Sequence, residues 1–365
     1  MRIPKRVLVI VMRRIGDVLL VTPLIRSLRF AWPDAAIDVL VFKGTEGVIM
    51  ANGDIRRILT VPEGAGIGTQ LKMLKSILCR YDVAISAQPG DRPTFNARMA
   101  GKAAIGTLED DAGAFWKRWL LTRWNLFDNR DTHTVVMNLR LAKLLGIEPK
   151  FDVVVSWHPS DANRVSLMLP FDAVTEPYAV LHPFPKFNYK MWHRDGWAGL
   201  ARHLLEQGLR VVFTGSNAPD ETAYVSGIAR GLPEKAVDMA GRLNLGETGF
   251  LLSRARVYAG PDTVVTHMAA ALGVPTVALY GPTNPVKWGP WPEHHVSDSS
   301  PYVMKGSQRV GNVILLQGVG ECVPCWEEGC ERHIDSFSRC LLELTVERVI
   351  EAVDEALGLA DRGNK

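Results

Sequence analysis

No stretch of this chain reaches the roughly eighteen uncharged apolar residues that a helix needs to span a bilayer. The N-terminal run "MRIPKRVLVIVMRRIGDVLL" is broken by Arg13, Arg14 and Asp17. No small-residue cleavage site follows it, which argues against a secretory leader. Short-period repeats and low-complexity segments are also missing. The dinucleotide fingerprint G-x-G-x-x-G is supplied by neither "MRRIGD" nor "TGSNAPD", and the Walker loop G-x-x-x-x-G-K-[ST] is absent. Nucleotide-dependent oxidoreductases and P-loop enzymes therefore fall behind. Charge of one sign is scarce too, with a net charge of +3 and basic residues spread along the chain. This mildly favours an acidic or phosphorylated partner and sets aside a dedicated nucleic-acid binder. The expectation is a soluble cytoplasmic protein.

Cysteine is rare, with five residues in all. Cys79 stands alone, whereas Cys322, Cys325, Cys330 and Cys340 share the segment "CVPCWEEGCERHIDSFSRC". A cytosol keeps such thiols reduced. They read either as a structural zinc site, with His333 as a substitute ligand, or as free thiols and adventitious disulfides. Nothing ties the cluster to catalysis.

What the chain does have is 365 residues with 47% apolar content, about right for two domains with substantial cores. In the first half, strand patterns at Arg6–Val11, Ile37–Phe42, Arg57–Val61, Asp82–Ala87 and Phe151–Ser156, and a weaker one at Ala103–Gly106, alternate with helical patterns. The helices fall at Asp17–Phe30, Thr69–Arg80 and Thr132–Leu145. The second half repeats this alternation through "YAVLHP", "RVVFTGS", "KAVDMAG", "RVYAG" and "PTVALYGP". Such order predicts two α/β, doubly wound parallel sheets, joined by a polar stretch around Pro159–Pro177 and closed by a helix at Val346–Leu357. Sheets of this kind bind ligands at the carboxyl ends of their strands.

In the second half those strand ends carry polar and glycine chemistry. Lys186 and Lys190 follow "YAVLHP", Gly215-Ser216 precede Asp220-Glu221, Asp262-Thr263 follow "RVYAGP", and Gly281-Pro282-Thr283 follow "TVALY". Thr263 and His267 are four apart and share a helix face. Singly, Asp262 reads as an N-cap, His267 as a core or capping histidine and Lys190 as a surface lysine. Their convergence on one sheet edge points instead to a nucleotide diphosphate held by helix N-termini and lysine. In the first half, Gly16-Asp17 form the turn after the first strand. Asp17 can cap the helix that follows and still present an oxygen to a ligand. Pro23 requires either a kinked helix or a second helix starting at Thr22. The segment "AFWKRWLLTRWNLF" interleaves Trp116, Trp119 and Trp124 with Lys117, Arg118 and Arg123. It suits a lipid or glycolipid interface, or equally a helix whose tryptophans turn inward.

The segments "VIVMRRIGDVLLVTPLIRSLRFAWPDAAIDVLV", "KFNYKMW", "TGSNAPDE" and "AGPDTVVTHMAAALGVPTVALYGPTNPVKWGPW" together resemble the lipopolysaccharide heptosyltransferases, glycosyltransferase family 9, and most of all their heptosyltransferase III-type branch. The resemblance implies a GT-B fold, two Rossmann-like domains facing each other across a cleft. Residues 1–165 would bind the acceptor, 175–343 the ADP-sugar donor, and 344–360 would pack back on the N-terminal domain. It implies inverting transfer of L-glycero-D-manno-heptose from ADP-heptose, a substrate rather than a cofactor, to the lipopolysaccharide inner core without a catalytic metal. Asp17 falls on the position of the general base, and Lys190 on the lysine at the donor diphosphate. Asp262, Thr263 and His267 fall on the donor segment, and Glu221 on the acid at the adenosine ribose, with Asp220 beside it as the other register. Ser216, Gly281, Pro282 and Thr283 are further donor-side positions. Arg13 and Arg14, beside Asp17, could meet acceptor phosphates, Arg13 could equally pair with a local carboxylate, and Gly16 is placed with them on the acceptor side. A monomer touching the cytoplasmic face of the inner membrane is expected. A GT-B enzyme using another nucleotide sugar, as transferase or epimerase, and a catalytically silent nucleotide-sugar or glycolipid binder remain as alternatives.

Overall fold

The computed structural model describes residues 3–363 and divides into two units. The first comprises the chain up to Val154 together with Val296–Ser300, and the second the remainder.

The first unit is built on six strands, β1 (Arg6–Val11), β2 (Ala36–Phe42), β3 (Arg57–Val61), β4 (Tyr81–Ser86), β5 (Gly101–Leu108) and β6 (Arg123–Leu126). Their spatial order is β3-β2-β1-β4-β5-β6, and every pair is parallel. Val7, Leu8, Val9 and Ile10 are fully buried, as expected for a central strand covered on both faces. The covering helices are α1 (Ile15–Leu20), α2 (Thr22–Ala31), α3 (Ile67–Ile77), α4 (Asp91–Ala100) and α5 (Thr134–Leu144). The chain winds outward from β1 to β3 and then returns to β4 on the other side of β1. That reversal leaves a crevice at the carboxyl ends of β1 and β4.

Several sequence expectations shift here. The helix expected over Asp17–Phe30 is two helices, because Pro23 has no N–H and a new helix must open just before it. Thr22 is not its cap; its hydroxyl donates back to the Leu19 carbonyl at 2.7 Å. The strand expected at Phe151–Ser156 does not form. Its backbone instead lies along α2, where the Val154 N–H donates to Thr22 Oγ1 at 2.9 Å. Helix α4 has no counterpart among the helices expected from sequence, and "AFWKRWLLTRWNLF" splits into a 3-10 turn at Ala112–Trp119 and the edge strand β6.

The second unit opens with α6 (Pro159–Met168), inside the stretch expected to be an unpatterned linker. Its Arg164 pairs with Glu247 at 2.9 Å. The chain therefore passes from one unit to the other near Val154 rather than at residues 165–175. Next come β7 (Tyr178–Leu181), α7 (Arg194–Glu206), β8 (Arg210–Phe213), α8 (Pro219–Ala229), β9 (Ala236–Asp238), α9 (Leu245–Ser253), β10 (Val257–Pro261), α10 (Val264–Ala271) and β11 (Thr276–Tyr280). The chain continues through α11 (Pro285–Trp288), the hairpin strands β12 (Gln308–Val310) and β13 (Val313–Gln317), α12 (Arg339–Leu342) and α13 (Val346–Gly363). The sheet order is β12-β13-β11-β10-β7-β8-β9, parallel apart from the β12–β13 pair. Its reversal lies between β7 and β10.

Helix α13 corrects a further expectation. Residues 344–360 were to pack on the N-terminal domain, yet Val349, Ala352, Val353 and Ala356 are buried in the second unit's core with Trp197, Leu200 and Val277. The partner helix α7 carries Gly199, where a Cβ would stand 2.9 Å from Val346. Trp192 Nε1 donates to the Leu344 carbonyl at 2.8 Å and fixes the entry to the helix.

Candidate active site

In the second unit the reversal between β7 and β10 gathers Lys190, Asp262, Thr263 and His267 of the residues singled out from sequence. Lys190 lies in a 3-10 turn, Asn188–Lys190, beyond β7. Its Nζ contacts Asp262 Oδ2 at 2.5 Å, and the two side chains are 18% and 9% exposed. Asp262 follows β10 directly. It is not the N-cap of α10; Thr263 holds that position. The other carboxylate oxygen stands 3.8 Å from His267 Nε2 and accepts from the Tyr280 hydroxyl at 3.3 Å. Burial alone would raise the Asp262 carboxyl, but the charges of Lys190 and His267 and their hydrogen bonds outweigh it. The group is held well below the usual carboxylate range and stays ionised.

The rigidity of this corner comes from hydroxyl groups. Tyr258 and Thr266 bond each other at 2.8 Å, and Thr266 donates to the Pro261 carbonyl, tying α10 to the strand before it. His267 is buried, and its Nδ1 has no partner. A buried ring nitrogen without a partner at a strand edge is a vacancy suited to a ligand group.

Further along the same edge, the Ser216 hydroxyl donates to Glu221, and Glu221 is buried whereas Asp220 is exposed. Of these two neighbouring acids, Glu221 is the one turned into the fold. Burial raises its pKa, and the bonds from Ser216 only partly offset that. Two residues not singled out from sequence also sit here. His182 follows β7 and is buried, with its Nδ1 3.0 Å from Thr214 Oγ1 at the end of β8. Burial lowers its pKa to about 4, so it is neutral at physiological pH. Their signal lay only in the register of neighbouring strands, which no local pattern shows.

Other expected donor-side residues behave differently. Lys186 is exposed and lies over the Phe187 ring. Gly281 and Pro282 are buried, and a Cβ on Gly281 would meet Leu341 at 2.7 Å. Close packing accounts for that glycine. Thr283 beside them is partly exposed.

In the first unit, Arg14 is exposed, and Arg13, Gly16 and Asp17 are half-buried, Asp17 within the first turn of α1. A Cβ on Gly16 would meet nothing within 4 Å, so the space before Asp17 is open. Trp116 and Trp119 are exposed at 45% and 79%, whereas Trp124 is partly covered by Arg118, 5.0 Å above its ring. The tryptophans of the 3-10 turn therefore do not turn inward.

All five cysteines are free thiols, and burial together with neighbouring Cys325, Cys330 and Cys322 pushes Cys340 up to about 12. Among the described residues no three His, Cys, Asp or Glu side chains are arranged to hold a metal ion. None of the described helices is long and apolar enough to cross a membrane.

Comparison with known proteins follows the same lines. The sequence profile of glycosyltransferase family 9 (heptosyltransferase) matches residues 71–310, more than half of the chain. Lipopolysaccharide heptosyltransferase 3 of Escherichia coli (strain K12) is 29% identical over 78% of this chain and 84% of its own length. Among solved structures, a family 9 glycosyltransferase from Veillonella parvula superposes with a TM-score of 0.75 at 20% identity, over 97% of both chains. An E. coli heptosyltransferase solved with ADP gives 0.71 at 20% identity, over 96% of this chain and 99% of its own. The α/β GT-B class expected from sequence is thereby established. The chain belongs to glycosyltransferase family 9, the heptosyltransferases, and is a glycosyltransferase.

Proposed function

We propose that this enzyme transfers L-glycero-D-manno-heptose from ADP-heptose to the inner core of lipopolysaccharide with inversion at the anomeric carbon. The observation that carries this reading is the buried Lys190–Asp262–His267 set at the reversal of the second sheet. It joins a cation, helix α10 and an unpartnered ring nitrogen where a sugar-nucleotide diphosphate would lie. The names of the relatives, lipopolysaccharide heptosyltransferase 3 above all, support the same substrate class.

In such a transfer an acceptor hydroxyl attacks the anomeric carbon as the nucleotide diphosphate departs from the opposite face. Asp17 takes the hydroxyl proton, and Lys190 with the N–H groups at Thr263 stabilises the charge growing on the diphosphate. Glu221 holds the adenosine ribose, with Ser216 orienting its carboxylate. Thr283 is a lesser donor contact, and Arg13, Arg14 and Gly16 face the acceptor. ADP-heptose is a substrate, no cofactor takes part, and treatment with a chelator is expected to leave turnover unchanged. The exposed Trp116 and Trp119 support peripheral contact with the cytoplasmic face of the inner membrane, where a monomer would meet its lipid-linked acceptor.

Thermal shift with ADP, UDP, GDP and CDP, followed by ADP-heptose turnover on truncated lipopolysaccharide, tests the donor. Stabilisation by UDP and not by ADP would overturn the assignment. Asp17→Ala is expected to lower kcat by about 10²–10⁴-fold with little change in donor affinity, whereas Lys190→Ala should chiefly weaken donor binding. Near-normal turnover by Asp17→Ala would remove Asp17 as the base.

A further inference from the structure

The carboxyl edge of the first sheet carries polar groups that the reading above does not use. β1 lies between β2 and β4, and the segment after β4 reaches across its end. Gln88 Nε2 donates to the Met12 carbonyl at 2.9 Å, and Asn96 Nδ2 stands 3.6 Å from Met12 Sδ. Arg92, the second residue of α4, reaches further still. Its guanidinium lies 6.0 Å from the centroid of Phe42, the last residue of β2. Its Nη1 donates at 3.3 Å to the carbonyl of Glu63, in the loop after β3. A side chain rooted beyond β4 that ends on β2 and on the loop after β3 crosses the mouth of β1, the strand that leads to Asp17.

This guanidinium is under-partnered. Its Nε and Nη2 are buried without a hydrogen-bond partner, and so is Oε1 of Gln88, a residue only 8% exposed. The adjacent carboxylate is already engaged, since Asp91 pairs with Lys117 at 2.7 Å. Among the described residues no acid forms an ion pair with Arg92. Arg92 as a whole is half-buried, but burying two of its donors unmatched costs stability, and packing alone gives no reason to keep them so. The two vacant donors are also a matched pair. Nε and Nη2 form the side edge of the guanidinium, which binds both oxygens of a carboxylate or phosphate at once.

We propose that Arg92 and Gln88 form an anion subsite for the acceptor saccharide. The vacant edge of Arg92 binds a carboxylate or phosphate carried by the sugar, and Gln88 Oε1 accepts from a neighbouring hydroxyl. The proposal rests on the reading of the first unit as the acceptor side. The fork is closed from solvent, so an anion reaches it when Arg92 lifts from Phe42 and the single 3.3 Å bond to Glu63 yields.

Calorimetric titration of the full chain with a phosphorylated, carboxylate-bearing inner-core oligosaccharide tests this, alongside the dephosphorylated and the carboxyl-reduced forms of the same sugar. Arg92→Met is expected to weaken binding of the intact sugar at least tenfold and to leave ADP binding unchanged. Its melting temperature should equal or exceed that of the wild type, because two buried, unmatched donors have been removed. Arg92→Lys, which lacks the fork, should recover only part of the affinity. Loss of wild-type affinity on dephosphorylation alone identifies phosphate as the bound group, and loss on reduction alone identifies carboxylate. If neither treatment weakens the wild type, or if Arg92→Met binds the intact sugar normally, the subsite does not exist. A fall in melting temperature together with equal losses on all three sugars assigns Arg92 to structure and overturns the proposal. ADP-heptose turnover by the wild type is measured separately. Its absence would remove the heptosyltransferase reading while the binding result still decides the subsite.

Discussion

Lys190 and Asp262 hold opposite charges 2.5 Å apart with little access to water. Removing Lys190 alone leaves the buried Asp262 to His267 and the Tyr280 hydroxyl, a loss of up to about 3–5 kcal/mol. Lys190→Met should therefore lower stability well beyond an ordinary surface substitution, and Lys190→Met combined with Asp262→Asn should recover part of the loss. Denaturant unfolding of the two variants checks this, and equal stabilities would contradict a coupled pair. His182 gives a pH test. It is neutral in the fold down to about pH 4, whereas an unfolded histidine titrates near 6.5. Below pH 6.5 the unfolded chain binds the extra proton, so stability is complete above that pH and declines on acidification towards pH 4. The loss amounts to roughly 3 kcal/mol. His182→Gln should flatten the stability profile across this window. Asp262, Thr263 and His267 were legible in "PDTVVTH" because a strand end and a helix start fix their places locally. His182, Tyr280 and Arg92 were not, since each owes its role to a residue far along the chain.

At the scale of elements, two glycines that precede or open helices in the first unit predict opposite outcomes. Gly16 lies inside α1 with open space around its missing Cβ. Gly16→Ala should keep or raise the stability, by up to about 1 kcal/mol in helix propensity, and, if Asp17 is the base as proposed, should hinder the acceptor. Gly90 precedes α4 at φ 130°, a conformation that alanine resists. Gly90→Ala should cost about 1–3 kcal/mol and disturb the helix that carries Arg92. Melting curves and acceptor kinetics on the two variants separate strain from obstruction. The alternation of strands and helices could be read because central strands such as "RVLVIV" are continuous apolar runs. Helix α4 escaped because "DRPTFNARMA" places Pro93 and polar residues where an apolar stripe would be sought. Phe151–Ser156 has the composition of a strand, yet Thr22 on α2 takes up the Val154 N–H within it, and Ser27 takes up the N–H of Lys150 just before it.

For the whole molecule, each unit has its own core, so unfolding should not be a single cooperative step. If ADP binds the second unit, its transition alone should rise. At a hundredfold excess over Kd the gain is about 2.7 kcal/mol. Scanning calorimetry with and without ADP measures this, and a shift of the first unit's transition instead would place the nucleotide elsewhere. Val353→Ala on α13 should lower the second transition by about 2 kcal/mol and leave the first unchanged. Deleting Val346–Gly363 should abolish that transition and the ADP response together.

Helix α13 also sets a timetable. The last strand of the second unit's sheet, β13, ends at Gln317, but Val349, Ala352, Val353 and Ala356 come later in the chain. During synthesis the sheet can be laid down while one side of its core still lacks its cover. Leu316 and Val277, which belong to that core, must wait for the closing helix. The interval between translating β13 and releasing α13 is when a nascent chain of this enzyme is most open to wrong partners.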